Sequence, residues 1–90
     1  MIPADGAGGS QTIIRALSVL RALRDSETDV GVTEVARTVE LPSSTVHRIL
    51  RTLVVAGYVV QNSETERYRL GHEAFLLGRA AGHNLGFDAP

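Results

Sequence analysis

The chain is 90 residues long, with 43% hydrophobic but only 4% aromatic residues, so it can form one small domain with a modest core and cannot be a multidomain enzyme. Cysteine is absent, which excludes a disulfide framework, a thiolate nucleophile and a cysteine-type zinc site. Nine arginines against ten acidic residues give a net charge of −1, and this sum alone does not predict a nucleic-acid partner.

The first predicted element is a helix that follows an N-terminal tail. Residues 1–10 include three glycines and offer little to bury, which is typical of a mobile tail. Beyond Gln11, apolar residues recur at intervals of three and four, the spacing of one buried helical face. This spacing predicts a helix over about 12–24, with inward side chains at Ile13, Leu17, Leu20 and Leu23.

A second, shorter helix is predicted to open at Thr33. This residue stands at the N-cap position, where its hydroxyl can accept a hydrogen bond from a free backbone amide. The Leu41-Pro42 pair ends the helix, because a residue that precedes proline disfavours the helical conformation. The segment 30–32 before this helix is too short for anything but a loop or a tiny edge strand.

A third helix is predicted to start with Pro42 in its first turn and to end near Ala56, where Gly57 stops it. A helical projection places its apolar side chains on one buried side: Val46, Ile49, Leu50 and Leu53. The opposite side carries Ser44, Arg48, Arg51 and Val55, with Thr45, His47 and Thr52 on the flanks. Segment 41–63 contains no aspartate or glutamate, so this outer side is predicted to be basic.

A β-hairpin and a last helix complete the predicted order. Two β-rich segments, 58–61 and 67–70, flank a polar loop, and Gly71 ends the hairpin. Alternation along the second strand places Tyr68 and Leu70 on one face and the two arginines of this strand on the other. Residues 72–82, rich in alanine and leucine, predict the last helix.

This order of elements predicts a mainly α fold with a small β-hairpin, the winged helix-turn-helix, followed by a linker helix. Two helices joined by a tight turn, the second with a polar and basic outer face, are typical of DNA-binding proteins. A helix fits the major groove, and we expect the recognition helix, 42–56, to lie there. The hairpin 58–70, called the wing below, is expected on the adjacent backbone or minor groove.

The candidate DNA-binding residues are short hydroxyl or basic side chains on the second helix, the recognition helix and the wing: Thr33, Ser43, Ser44, Thr45, His47, Arg48, Arg51, Arg67 and Arg69. We favour Arg48 for a base edge, because guanidinium can pair with guanine O6 and N7. His47 can contact a base, contact a phosphate or pack as a flank residue. Arg67 can contact DNA or pair with Glu64 and Glu66 beside it, Arg69 can pack along the hairpin, and Tyr68 is expected in the core.

Several separate motifs together resemble the N-terminal winged helix-turn-helix domain of IclR-type bacterial transcription regulators. The motifs are Ile14-Arg15-Ala16-Leu17, Val32-Thr33-Glu34-Val35-Ala36, the segment 41–50 with Leu53, Gly57-Tyr58, and Arg67-Tyr68-Arg69-Leu70-Gly71. The resemblance spans about residues 11–82. It implies a homodimer on a palindromic operator in double-stranded DNA, a last helix that links or dimerises, and a downstream domain that binds a small-molecule effector.

The predicted domain organisation is a tail over 1–10, the DNA-binding domain over 11–71, and a linker helix with a C-terminal tail over 72–90. Only eight residues follow Gly82, so we expect the effector domain to be absent from this chain. Our hypothesis is that the chain is the DNA-binding part of a longer regulator.

Other functional classes fit the residues less well. Ser44 and His47 are three residues apart, but no nearby acid, glycine-built elbow or oxyanion loop supports catalysis, so no enzyme is predicted. The three histidines lack metal-ligand spacing, and neither a metal nor a cofactor is predicted. The alternative function is a winged-helix module that binds another protein and not DNA.

The longest apolar run, 53–60, is far shorter than the roughly 20 residues that cross a bilayer, and the N-terminus lacks the features of a secretory signal. We therefore expect no membrane contact and a cytoplasmic, nucleoid-associated location.

Overall fold

The computed structural model describes residues 9–87, which form four helices and one two-stranded antiparallel sheet. The elements in chain order are α1 (Gln11–Arg24), α2 (Val32–Val39), α3 (Ser43–Ala56), β1 (Val59–Gln61), β2 (Tyr68–Leu70) and α4 (His72–Asn84). This order confirms the predicted mainly α winged helix-turn-helix. Most of the predicted N-terminal tail, residues 1–8, lies outside the described residues, as do residues 88–90.

Helix α1 starts one residue earlier than the periodicity predicted, because Ser10 acts as its N-cap. The Ser10 hydroxyl accepts a hydrogen bond from the Ile13 amide at 3.3 Å. The helix buries Val19 and Leu23, whereas Ile13 and Leu17 remain exposed. The prediction that Ile13 and Leu17 lie inside this chain is therefore wrong, because the core covers only one side of the C-terminal half of α1.

Helix α2 corrects the predicted role of Thr33. The N-cap is Gly31, and Thr33 is the second residue of the helix, with an exposed side chain. In place of a capping hydroxyl, the Glu34 carboxylate accepts from the Gly31 amide at 3.5 Å. The helix ends at Val39, before the Leu41-Pro42 pair, because Glu40 takes a left-handed conformation with φ 58°.

Helix α3 follows α2 after a three-residue turn and agrees closely with its prediction. Pro42 is the N-cap and not a residue of the first turn, which moves the predicted start by one position. Val46, Ile49 and Leu50 are buried, as the projection indicated. The helix ends at Ala56, where Gly57 adopts a left-handed conformation with φ 88° that favours glycine.

The sheet pairs β1 with β2 and gains a third, single-residue partner from the α1–α2 connection. Gln61 lies opposite Tyr68, and Val59 lies opposite Leu70. On its other edge, Tyr68 exchanges two backbone hydrogen bonds of 2.8 Å with Val30. Of the segment 30–32, Val30 alone forms an edge bridge, whereas Gly31 caps α2 and Val32 begins it. Tyr68, at 2% exposure, is in the core as expected.

Helix α4 packs against β1 and leaves an apolar surface uncovered. In the part of the chain that the structure describes, α4 contributes no buried side chain, and Phe75 and Leu77 are 60% and 62% exposed. A groove between α4 and α1 is lined by Leu17, Leu20, Leu77 and neighbouring residues. No helix within 9–87 is long and apolar enough to cross a membrane.

We predict that Gly71→Ala destabilises the domain, because Gly71 joins the sheet to α4 at a point of close backbone approach. A Cβ there would lie 2.8 Å from the Gly57 carbonyl oxygen and 3.2 Å from backbone atoms of Tyr58 and Val59. Overpacking of this kind costs about 1–3 kcal/mol. Thermal denaturation should show a melting temperature that is lower by about 4–8 °C for each kcal/mol.

Gly78→Ala is the matched control, because a Cβ at Gly78 in α4 meets nothing within 4 Å. Alanine is the better helix former, so this variant should be as stable as the parent chain or more stable. Equal melting temperatures for the two variants would contradict the steric role of Gly71.

Candidate nucleic-acid interface

The exposed side of α3 presents a run of polar and basic side chains over its first turns. Val46, Ile49 and Leu50 hold the opposite side in the core, and this packing fixes which residues face outward. The exposed residues are Ser43, Ser44, His47, Arg48 and Arg51, and Thr45 is half-buried beside them. We call Ser44, His47, Arg48 and Arg51 the outer face of α3; the structure brings these predicted site residues together.

The arginines of the chain divide into engaged side chains, which contact another side chain by an ion pair, a hydrogen bond or a ring contact, and unengaged side chains, which do not. Ion pairs join Arg24 to Asp25 at 2.8 Å, Arg67 to Glu34 at 2.6 Å and Arg69 to Asp29 at 3.4 Å. Arg21 donates to the Ser18 hydroxyl, and Arg79 lies over the Phe75 ring at 5.8 Å. Within residues 9–87, the arginines without an ion pair, a hydrogen-bonded partner or a ring contact are Arg15, Arg37, Arg48 and Arg51. Their charges are available to an anionic partner.

The pair at the end of α1 is well engaged. The hydrogen bond from the Arg24 guanidinium holds the pKa of the Asp25 carboxyl below its ordinary value, and the same bond raises the pKa of Arg24. Arg24 therefore differs from the unengaged arginines, because its charge is already paired with Asp25.

One groove of about 280 Å³ lies between the N-terminal half of α1 and α3. Two arginines line it, Arg15 from α1 and Arg48 from α3, together with hydroxyl side chains of Thr12, Thr45 and Thr52. Ala16, Ile49 and Leu53 form its apolar part. Arg15 was not among the predicted site residues, because a contact between helices that 18 residues separate leaves no local pattern. The available signal was the acid-free stretch of polar residues around Arg15.

A second groove of about 410 Å³ lies between α3 and the wing. His47 and Arg51 line its α3 side, and Gln61 and Glu66 line its wing side. Glu66 has a left-handed backbone with φ 61° and places an acidic residue in this groove. The two flanks of α3 thus differ in charge, since the groove beside α1 is lined by arginines without acids.

The wing arginines point away from α3. The Arg67 guanidinium donates from Nη2 to the Glu34 carboxylate at 2.6 Å and from Nε to the Asp29 carbonyl oxygen at 3.2 Å. Of the two interpretations of Arg67, an ion pair is observed, but its partner is Glu34 and not Glu64 or Glu66. The reason is the Val30–Tyr68 pairing, which places this edge of the wing beside the start of α2.

Arg69 and Thr33 also lie apart from the outer face of α3. Arg69 donates from Nη1 to the Asp29 carboxylate at 3.4 Å. Thr33 is exposed at the start of α2 and lines neither of the two grooves beside α3. Among the described residues, no three histidine, aspartate or glutamate side chains come close enough to hold a metal ion.

Comparison with known proteins identifies similar domains in bacterial regulators. The IclR helix-turn-helix domain matches residues 12–63. The HTH-type transcriptional regulator KdgR of Escherichia coli is 36% identical over 74 residues, which cover 82% of this chain and 28% of that protein. The glycerol operon regulatory protein of Streptomyces coelicolor is 40% identical over 68 residues, covering 76% of this chain and 27% of that protein. The chain thus spans just over a quarter of these relatives.

Solved structures show the same fold. HmgR of Pseudomonas aeruginosa superposes with a TM-score of 0.79 at 31% identity, covering 87% of this chain and 33% of that one. An IclR family transcriptional regulator from Brucella abortus superposes with a TM-score of 0.77 at 31% identity, covering 90% of this chain and 31% of that one.

Proposed function

The chain belongs to the IclR family of transcriptional regulators and forms its helix-turn-helix DNA-binding domain, and we propose that α3 docks in the major groove of a specific regulatory site. The observation that carries this proposal is the outer face of α3, where Arg48 and Arg51 are exposed and have no partner within residues 9–87. A helix fits the major groove, and unpaired guanidinium groups bind phosphate and guanine edges.

Position along α3 suggests a division of labour among its polar residues. Ser43, Ser44 and Thr45 lie in the first turn, and their short side chains allow close approach to the sugar-phosphate backbone. Arg48, one turn further along, is our choice for a base edge. His47 and Arg51 lie one turn apart on the side that faces the wing, where they can contact the same strand.

Arg15 is our choice for a phosphate contact. It shares a groove with Arg48 but projects from α1, beside the recognition helix and not within it. Half or more of the hydrogen bonds in protein–DNA interfaces go to phosphate and sugar, and they set the register of the recognition helix. Thr33, the second residue of α2, is proposed as a further backbone contact through its exposed hydroxyl.

We propose a homodimer for the whole regulator, bound to a palindromic operator. The exposed apolar surface of α1 and α4, with Leu17, Phe75 and Leu77, supports this assembly, because an apolar surface of this kind gains stability when a second copy covers it. A small-molecule effector would act through a domain outside this chain. The named relatives include a transcriptional repressor, IclR of Escherichia coli, and we propose repression here as well.

The rival function, a protein-binding module, lacks a specific observation in its favour. Salt distinguishes the two functions, because DNA affinity falls with salt at a log-log slope of about −0.9 for each phosphate neutralised, whereas an apolar protein interface is far less sensitive. We propose that the protein acts on the nucleoid in the cytoplasm and catalyses no reaction.

We predict that Arg48→Ala and Arg15→Ala weaken DNA binding in different ways. A duplex selected from a randomised pool and a scrambled duplex of the same composition are compared by fluorescence anisotropy. Arg48→Ala should cost about 1–3 kcal/mol on the selected duplex and relax one operator position, as loss of a base contact does. Arg15→Ala should weaken both duplexes equally and reduce the salt slope by about 0.9.

Arg24→Ala is the matched control, because Arg24 is already paired with Asp25 and lies at the far end of α1. Its affinity and salt slope should equal those of the parent chain. If Arg48→Ala weakens both duplexes equally, Arg48 is a phosphate contact; if the parent chain binds neither duplex at low salt, the proposed function is wrong.

We further predict that Leu77→Asp prevents dimerisation of this chain. A buried carboxylate at an apolar seam is costly, because the ionised group loses its hydration. Sedimentation velocity over a range of concentrations should show association for the parent chain and a monomer for the variant. Val55→Asp is the control, since Val55 is 90% exposed on α3 and lies outside the α1–α4 groove. A parent chain that stays monomeric at every concentration would contradict this seam.

A further inference from the structure

Two wing arginines are held by acceptors in the first turn of α2 and on the connection between α1 and α2. Arg67 is bound twice, by the Glu34 carboxylate at 2.6 Å and by the Asp29 carbonyl oxygen at 3.2 Å. Arg69 is bound by the Asp29 carboxylate at 3.4 Å. The two carboxylates occupy guanidinium donors that could otherwise bind phosphate oxygens, because carboxylate and phosphate accept from the same donors in similar geometry.

The backbone holds both sides of this contact in place before any partner binds. Two backbone hydrogen bonds of 2.8 Å join Tyr68 to Val30. Tyr68 stands between Arg67 and Arg69 in the sequence, and Val30 follows Asp29. Glu34 is fixed as well, because the oxygen that binds Arg67 also accepts from the Gly31 amide at 3.5 Å. Isolated surface ion pairs contribute little when two long side chains must be ordered, but here the partners already stand side by side.

The local charge also favours DNA on α3 over DNA on the wing. The wing carries Glu64 and Glu66 against its two arginines, so its own sum is zero. Asp29 and Glu34 make the local sum −2. The recognition helix, in contrast, carries no acid and two arginines that have no partner within residues 9–87. A polyanion is therefore attracted to α3 and to the adjacent Arg15, and it is repelled from the wing edge.

From this arrangement we infer that Asp29 and Glu34 act as intramolecular substitutes for phosphate, which keep Arg67 and Arg69 off the DNA and restrict phosphate contacts to α1, α2 and α3. The inference rests on the proposed function of α3. It makes Glu34 a residue that limits sequence-independent affinity, because a phosphate contact by the wing would add affinity for every sequence alike.

The test uses Glu34→Gln, Arg67→Gln and the double variant, with the selected and scrambled duplexes described above. Glutamine keeps the size of Glu34 and an oxygen for the Gly31 amide, but it removes the charge that holds Arg67. Glu27→Gln is the matched control: it removes an exposed acid of the connection before α2 that has no contact with the wing in the described structure.

Arg67→Gln alone should leave the affinity within about twofold and the salt slope unchanged, because Arg67 contributes no phosphate contact in the parent chain. Glu34→Gln should steepen the slope by about 0.9 and raise the affinity for both duplexes, with a gain that shrinks by about threefold to fourfold between 50 and 200 mM salt. The double variant should lose this gain, and Glu27→Gln should not change the slope.

The inference is overturned if Arg67→Gln reduces the slope by about 0.9, since Arg67 would then leave Glu34 for a phosphate in the complex. It is also overturned if Glu34→Gln and Glu27→Gln behave alike, or if the double variant keeps the gain. Melting curves verify that each variant folds. Binding of the parent chain at low salt tests the proposed function separately, so failure there is distinguishable from failure of this inference.

Discussion

The pairing of Tyr68 with Val30 is the contact on which the arrangement of this domain depends. Tyr68 is 2% exposed and lies opposite Gln61 of β1, and its backbone amide and carbonyl both bond to Val30 of the connection before α2. A hairpin of two three-residue strands is marginal alone, and burial of a large aromatic side chain between the sheet and the helices stabilises it. With the hairpin held on that side, the buried face of α3 is covered and its outer face stays open.

The same pairing decides which charges are free. It places Arg67 and Arg69 against Glu34 of α2 and Asp29 of the preceding connection, so these two acids are paired inside the molecule. A chain with net charge −1 thereby presents an acid-free, basic surface on one side. The net charge of this protein therefore does not indicate its partner. The separation of paired from unpaired arginines on the surface indicates where an anionic partner would bind.

The elements that sequence reasoning predicted best are those that local rules determine. The register of α3 follows from the period of Val46, Ile49 and Leu50 and from Gly57, all within one segment. The start of α2 was misjudged because Gly31 and Thr33 are both acceptable N-cap residues. Pairing of Val30 with Tyr68, 38 residues away, sets the backbone there, and no local pattern contains that information.

The tertiary neighbours of Arg67 and Arg15 could not be predicted from the sequence either, because they are distant along the chain and meet only in the tertiary structure. Glu64 and Glu66 are near Arg67 in sequence, yet Glu64 lies in the turn and Glu66 has a left-handed backbone with φ 61°. The observed partner, Glu34, is 33 residues away. Arg15 escaped notice because its groove with Arg48 forms only when α1 packs on α3. The fold class and the outer face of α3 were thus predictable, whereas the pairing that separates free from engaged arginines required the tertiary structure.

The junction at Gly71 bears on how a dimer could read a palindrome. The Gly71 amide donates to the Tyr58 carbonyl at 2.8 Å, and the Glu73 amide donates to the Gly57 carbonyl at 3.1 Å, so the first turn of α4 is bonded to the residues that end α3. Recognition of two half-sites requires two recognition helices about 34 Å apart, one turn of the duplex, in a fixed orientation. If α4 forms the dimer seam, this short hydrogen-bonded junction transmits the orientation of the seam directly to α3. The absence of a side chain at Gly71 then serves DNA recognition as well as packing, because it is what lets the two backbones come close enough to bond.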